Sequence, residues 1–400
     1  MPLLLAGCVN DSYDELVPPS EASPKADIML DLDVSVLGNS VPAAAYGLES
    51  RAFDIADDGD FEPGTKYEGL STLRVIIVRN GALESTAAAD PDLAAELNRH
   101  IGEIEHNRMV SIDENGVILY DNLSFHVIGG EKKRIYLFGN EDAKDHPLNG
   151  DLTPLISYDF DALTAGKLFP ADEVADVMIT RRPNSSVIDN SSYIPQYVPM
   201  SEVFDVNVAR STASVSSQRE VLFITRSLIK FSLCVISNSP FPASKSMLNG
   251  IRIDGISNEC YYLPRDTEYA PGKYTISSNK LQGRYITEFT LPADHGTSSY
   301  YFPVRMNLRT PGEYLYSGNG MIYFPESKGT YKVSLDFADP WYNEHTGTKD
   351  LELQNIPRNT HVKINVYING QDITTTITLL PYTGVYLNPS FGFPRDPETN

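Results

Sequence analysis

The feature that most limits what this chain can fold into is a period of two. From Asp27, the residues Ile28, Leu30, Leu32, Val34 and Val36 alternate with Met29, Asp31, Asp33 and Ser35, the pattern of a strand with one buried and one wet face. Further strands are predicted at 73–78, 117–120, 123–128 and 134–138, with Asn115-Gly116 as a hairpin turn. In the second half they are predicted at 220–226, 230–236, 250–256, 285–291, 299–306, 321–324 and 331–337, and 362–368 and 373–379 alternate cleanly. The composition agrees: 23 Tyr, 16 Phe, 27 Gly and 27 Pro favour strands and turns. With 400 residues to distribute, the expectation is an all-β protein of two tandem sandwiches, spanning 27–205 and 206–400. The break is placed after Arg181-Arg182-Pro183, where a Ser/Asn-rich stretch and Pro195, Pro199 and Met200 read as a surface crossing.

One short helix is expected in the first domain. Asp90 can cap it, Pro91 suits its first position, and Leu93, Leu97, Ile101 and Ile104 share a face to about Glu105. His100 and His106 lie six apart, without the i, i+4 spacing of a zinc pair, and read as helix-face residues. The net charge of -21 argues against nucleic acid as a partner. Nucleophile-elbow, zincin, phosphate-loop, dinucleotide and Cys-x-x-Cys patterns are lacking, and 54–65 fails as a calcium loop because Ala56 and Thr65 stand at ligand positions. The chain therefore reads as a non-enzyme without a metal or cofactor site. Cys234 and Cys260 form a disulfide or remain two buried thiols; spacing does not choose between them.

The first eight residues end in Leu5-Ala6-Gly7-Cys8, which resembles a bacterial lipobox, with Cys8 as the acylated N-terminus. Seven residues precede Cys8 and none is basic, which departs from a full signal peptide. Residues 9–26, rich in Pro, Ser and acids, read as a flexible tether. A long connection then runs from Gly38 through Arg51-Ala52-Phe53 and an acidic loop.

Taken in order, these features resemble the fimbrillins, subunits of the type V pili of Bacteroidales. Besides the lipobox, the alternating strand and the Arg-Ala-Phe junction, the matching stretches are Leu73 to Gly81, Val198-Pro199-Met200-Ser201, Thr225 to Phe231 and Asn355 to Val366. The resemblance implies transthyretin-like sandwiches, a lipoprotein precursor in the outer membrane, and a cell-surface fimbria used in adhesion. It also implies assembly with other subunits by donor-strand exchange. An Arg-specific protease would cut between Arg51 and Ala52 and release the strand carrying Ile28, Leu30, Leu32, Val34 and Val36. Residues 373–391, with Ile373, Thr375, Ile377 and Leu379, would be the donor for a neighbouring subunit. They can equally be the last strand of the second sandwich. A fimbrial anchor, a tip adhesin and a monomeric glycan-binding lipoprotein remain alternatives, the last because Tyr261-Tyr262, Tyr300-Tyr301-Phe302 and Trp341-Tyr342 could stack on sugars. The receptor on a host or bacterial surface is not named by the sequence.

Overall fold

The computed structural model describes residues 27–36, 68–112, 118–119, 123–145, 153–181, 197–212, 214–237, 248–265, 290–293, 296–303, 314–315, 321–328, 331–337, 349–351, 355–356, 358–369, 372–380 and 385–386. The chain is all-β, built as two sandwiches. The first contains β1 (Asp27–Val36), β2 (Thr72–Ala82), β3 (Ile104–Ile112), β4 (Ser124–Ile128), β5 (Glu131–Gly139), β6 (Met200–Val208) and β7 (Ser217–Arg226). One leaf runs β4-β1-β7, and the other runs β6-β5-β2-β3 and ends on Ile118–Leu119. The leaves meet at a corner where β6 pairs with β7 through Met200–Arg226 and Ser201–Thr225.

The second sandwich contains β8 (Leu228–Ser237), β9 (Leu248–Ser257), β10 (Thr297–Pro303), β11 (Met321–Pro325), β12 (Tyr331–Phe337), β13 (His361–Asn369) and β14 (Asp372–Leu380). One sheet has β8 between β11 and the β13–β14 hairpin; the other runs β10-β9-β12 to Lys349–Leu351. The two parallel pairs among the described strands are β1 with β7 and β8 with β13. In each domain, therefore, the first strand lies along a late strand of the same domain.

The strands on either side of residue 205 pair within one sheet. β6 and β7 both belong to the first sandwich, and Ser227 alone separates β7 from β8. The expected surface crossing at Met200 is instead the start of a strand, with Val198 and Met200 fully buried. Pro199 signalled a turn, and the residue that follows it enters the sheet.

The helix begins where expected. Asp90 accepts from the Leu93 amide at 3.0 Å and Pro91 opens the first turn. It ends at Asn98, not near Glu105. The Asn98 side chain accepts from the Ala82 amide at 2.8 Å, Gly102 turns with φ of 87°, and Ile104 starts β3 alongside β2. Pairing with β2 outweighs the helical period of Ile101 and Ile104, and Ile101 is left half exposed. Short helices at Glu84–Ala89 and Ala171–Ala175 accompany it. Of the strand expected at 285–291, residues 290 and 291 are described and lie outside any strand.

Strand β2 explains the run Leu73-Arg74-Val75-Ile76-Ile77-Val78, which is buried throughout. Leu73, Val75 and Ile77 join the core between the leaves, while Ile76 and Val78 join a second core on the other side of the same sheet. A central strand covered on both faces has no wet side, so its pattern is continuous rather than alternating. The second core collects Phe160, Phe169, Val174 and Ile179 from the segment after β5 and Leu228, Cys260, Tyr262 and Tyr323 from the second half. It welds the two sandwiches together.

Candidate functional site

The expected working part, β1, is seated as the alternation requires. Ile28, Leu30 and Leu32 are fully buried and Val34 and Val36 nearly so. They face Val75 and Ile77 of β2, Ile135 and Leu137 of β5, and Val206 and Val208 of β6 across the core. β1 lies parallel to β7 from Met29–Ser217 to Val36–Ile224, and antiparallel to β4 from Asp27–Ile128 to Asp31–Ser124. The Met29 amide donates to the Ser216 carbonyl and the Leu32 amide to the Leu123 carbonyl, each at 2.9 Å.

The outer face of β1 is held by polar contacts. The Ser124 hydroxyl donates to Asp31 at 2.5 Å, and Arg219 donates to Asp33 at 2.6 Å. Arg219 is largely exposed, so this pair contributes well under about 1 kcal/mol. The binding energy of β1 thus resides in its five inward apolar side chains. At about 1.5–3 kcal/mol each, an upper estimate, they contribute roughly 10 kcal/mol. Residues 37–67 join the C-terminal end of this strand to the rest of the domain, and its contacts with β7 and β4 are non-covalent.

Behind the opposite leaf lies a buried polar junction. Glu68 accepts from the Tyr323 hydroxyl at 2.5 Å and pairs with the Lys230 ammonium at 2.6 Å, while Arg226 donates to the Glu68 carbonyl at 3.3 Å. Arg358 holds Glu326 at 2.6 Å and donates to the carbonyls of Tyr261 and Tyr262 at 2.6 and 2.7 Å. Arg181 donates to the Tyr323 carbonyl and grips Asp145. These cations are nearly solvent-free, and a buried charge is tolerated only when paired and fully hydrogen-bonded. The stretches Val198–Ser201, Thr225–Phe231 and Asn355–Val366, far apart in sequence, converge here through Ser201, Arg226, Lys230 and Arg358. Sequence reasoning missed Glu68 and took Arg181 as the start of a surface crossing. A lone charged residue carries no local sign of burial.

Asn140 ties this junction to the first sandwich. It is buried in the left-handed region, with φ of 56°, at the end of β5. Its side chain accepts from the Ser71 amide at 2.8 Å and donates to the carbonyls of Gly69 and Val198 at 2.9 and 2.8 Å.

Cys8, Arg51 and Ala52 lie outside the described residues. Ile373, Thr375, Ile377 and Leu379 sit on β14, whose backbone pairs along its whole length with β13 from Asn369–Asp372 to His361–Leu380. On its own, then, the chain places 372–380 in the hairpin of the second sandwich. Cys260 is a free thiol, completely buried; burial, with Glu326 nearby, pushes it up to about 12. Tyr262 is a core residue whose hydroxyl donates to the Gly139 carbonyl at 2.9 Å, and burial holds its pKa well above the ordinary tyrosine range. Tyr261 lies under the Arg265 guanidinium, 3.6 Å from the ring centre. Trp341-Tyr342 and the side chains of Tyr300-Tyr301-Phe302 fall outside the described residues. His100 bonds Glu103 at 2.9 Å and lies 3.3 Å from Glu96. His106 is on β3 rather than a helix, its ring 5.5 Å from that of Phe125. Among the described residues no group of three or more His, Cys, Asp or Glu side chains is placed to hold a metal.

No protein-family profile matches the chain, and no curated protein matches it. Solved structures do. A protein of Parabacteroides distasonis, provisionally described as a cell adhesion protein, is 11% identical with a TM-score of 0.44, covering 90% of this chain and 97% of its own. The C-terminally truncated tip fimbrial protein Mfa3 of Porphyromonas gingivalis is 10% identical with a TM-score of 0.43, covering 89% and 100%. A fimbrial assembly protein of Parabacteroides distasonis is 8% identical with a TM-score of 0.36, covering 88% and 99%.

Proposed function

We propose that this chain is a structural subunit of an adhesive cell-surface fimbria, assembled by exchange of β1 for a strand of a neighbouring subunit. The observation that carries the reading is the seat of β1, the first of the described strands, bonded on both edges and supplying one apolar row of the first core. In this reading Cys8 carries the lipid of an outer-membrane precursor, and an Arg-specific protease cuts between Arg51 and Ala52. Loss of β1 then opens a hydrophobic groove between β7 and β4 whose unpaired edges recruit a new strand. Residues 373–391 of the next subunit supply it. A head-to-tail contact of this kind does not close on itself and builds a fibre. No step calls for an active site or a cofactor. The solved likenesses are fimbrial and adhesion proteins, the same class, but at 8–11% identity the weight rests on β1.

A second reading, an anchor or tip subunit, is favoured by one observation: β14 is already paired along its length within its own domain. A tip would keep it there. One experiment separates the two. The purified protein is treated with an Arg-specific protease, the new N-terminus is sequenced, and size is followed by light scattering. A new terminus at Ala52 with growing polymers, abolished by deleting 373–391, supports the shaft subunit. Cleavage that releases β1 without polymers supports a tip. A resistant Arg51 supports an anchor or a monomeric lipoprotein.

A further inference from the structure

In both sandwiches the first strand runs parallel to a late strand, and the two differ in what covers the other edge of that first strand. In the second, β8 pairs with β13 on one side; on the other it pairs with β11 along Leu228–Ser232 and with Tyr314–Leu315 at Val235–Ile236. In the first, β1 pairs with β7 on one side and with β4 along Asp27–Asp31 on the other. The position equivalent to Tyr314–Leu315 would fall to the segment just before β4. That segment, Ile118–Leu119, is drawn onto β3 in the opposite leaf. The place is filled by β15 (Val385–Tyr386), from beyond the second sandwich, antiparallel to Ser35–Val36.

Backbone parity identifies the bond involved. The Leu32 amide points to Leu123 next to β4, and the Met29 amide points to Ser216 next to β7. Because amides alternate along a strand, even-numbered residues of β1 face the β4 side. Val36 is even, and its partner on that side is Val385.

We propose that β15 is an intramolecular latch. It pairs the C-terminal end of β1, which among the described strands otherwise has only β7, and so suppresses fraying where the strand leaves for the connecting segment 37–67. The same contact occupies the C-terminal segment within its own chain. Release of β1 and release of the C-terminal segment are then one event. This consequence for assembly rests on the strand-exchange reading, whereas the latch itself is a property of the single, uncut chain.

The test is residue-resolved amide hydrogen exchange on the uncut protein, on Val385→Pro, and on a chain ending at Leu380. Proline at 385 removes the Val385 N–H, which donates to the Val36 carbonyl, and its ring on the bonded edge disrupts the reciprocal bond in which the Val36 N–H donates to the 385 carbonyl. Protection of Val36 should fall by about tenfold or more in both variants, while Leu32, bonded to Leu123, and Phe231, in β8, stay within about twofold. Unchanged Val36 protection in both variants overturns the latch and leaves strand exchange untouched. Loss that spreads equally to Leu32 and Phe231 also overturns it, because the contact would then be general rather than local. A chain that shows the Val36 effect, yet stays monomeric after cleavage at Arg51, keeps the latch and removes the shaft-subunit reading.

Discussion

Leu32→Ala tests the claim that the inward face of β1 holds the first sandwich together. Leu32 is fully buried at the middle of the strand. Truncation removes apolar groups whose transfer is worth about 2 kcal/mol at roughly 0.8 kcal/mol per methylene. A cavity term adds to this, since buried Leu→Ala changes cost about 2.7–5.0 kcal/mol overall. β1 is hydrogen-bonded on both edges here, to β7 along its length and to Leu123, so the walls cannot collapse inward. We expect a loss of about 3–4 kcal/mol. Met29→Ala, on the opposite and half-buried face, should cost less than about 1 kcal/mol. The readout is urea unfolding with two probes. Amide exchange at Leu73, Val75 and Ile77 follows the first sandwich, and fluorescence of the single tryptophan, Trp341, reports from the sequence of the second. The reasoning fails if Leu32→Ala costs under about 1 kcal/mol in the first sandwich, or if Met29→Ala costs as much.

Three further outcomes are expected at the junction. Asn140→Ala forfeits five side-chain hydrogen bonds, with Ser71, Thr72, Gly69 and Val198, and places a Cβ residue without a local bonding partner at positive φ; a loss of about 2–4 kcal/mol is expected by chemical denaturation, and Asn140→Gly should recover only the backbone part. Glu68→Gln keeps the shape but withdraws the charge facing Lys230, so a loss of about 3 kcal/mol or more is expected, with one calorimetric transition splitting into two as the domains uncouple. Cys260 has a folded pKa raised from 9.0 to about 12, mainly by burial. The folded state holds this proton more tightly, so its contribution is complete below pH 9 and is lost as pH rises from about 9 to 12. Cys260→Ala should flatten that part of the stability–pH curve. In the native protein at pH 8, the Cys260 thiol should react with a disulfide reagent only at the rate of unfolding.

How much was legible in the sequence differs from element to element. The alternation of Ile28 to Val36 marked a strand and its buried face, because side-chain direction depends only on neighbours along the chain. The same local logic located the helix start at Asp90–Pro91 and the two strands at 362–368 and 373–379, though not that they pair with each other. It misjudged the end of that helix, since Ile104 satisfies both a helical face and the β2–β3 ladder and only the ladder has a partner waiting. It also took Met200 as the end of a surface crossing, where a strand begins, because a proline bends the chain without fixing whether the next residues enter a sheet or stay on the surface.

What the sequence by itself determined is the class of fold and which residues of β1 turn inward. Only the tertiary structure decided that β1 lies parallel to a strand nearly the length of a domain away, that Glu68 meets Lys230 and Tyr323, and that Val385–Tyr386 returns to Ser35–Val36. Periodicity is local and is written in adjacent residues. Strand partners and buried ion pairs are chosen by the free energy of the whole packed chain, where long loops are closed at a cost that grows only slowly with their length.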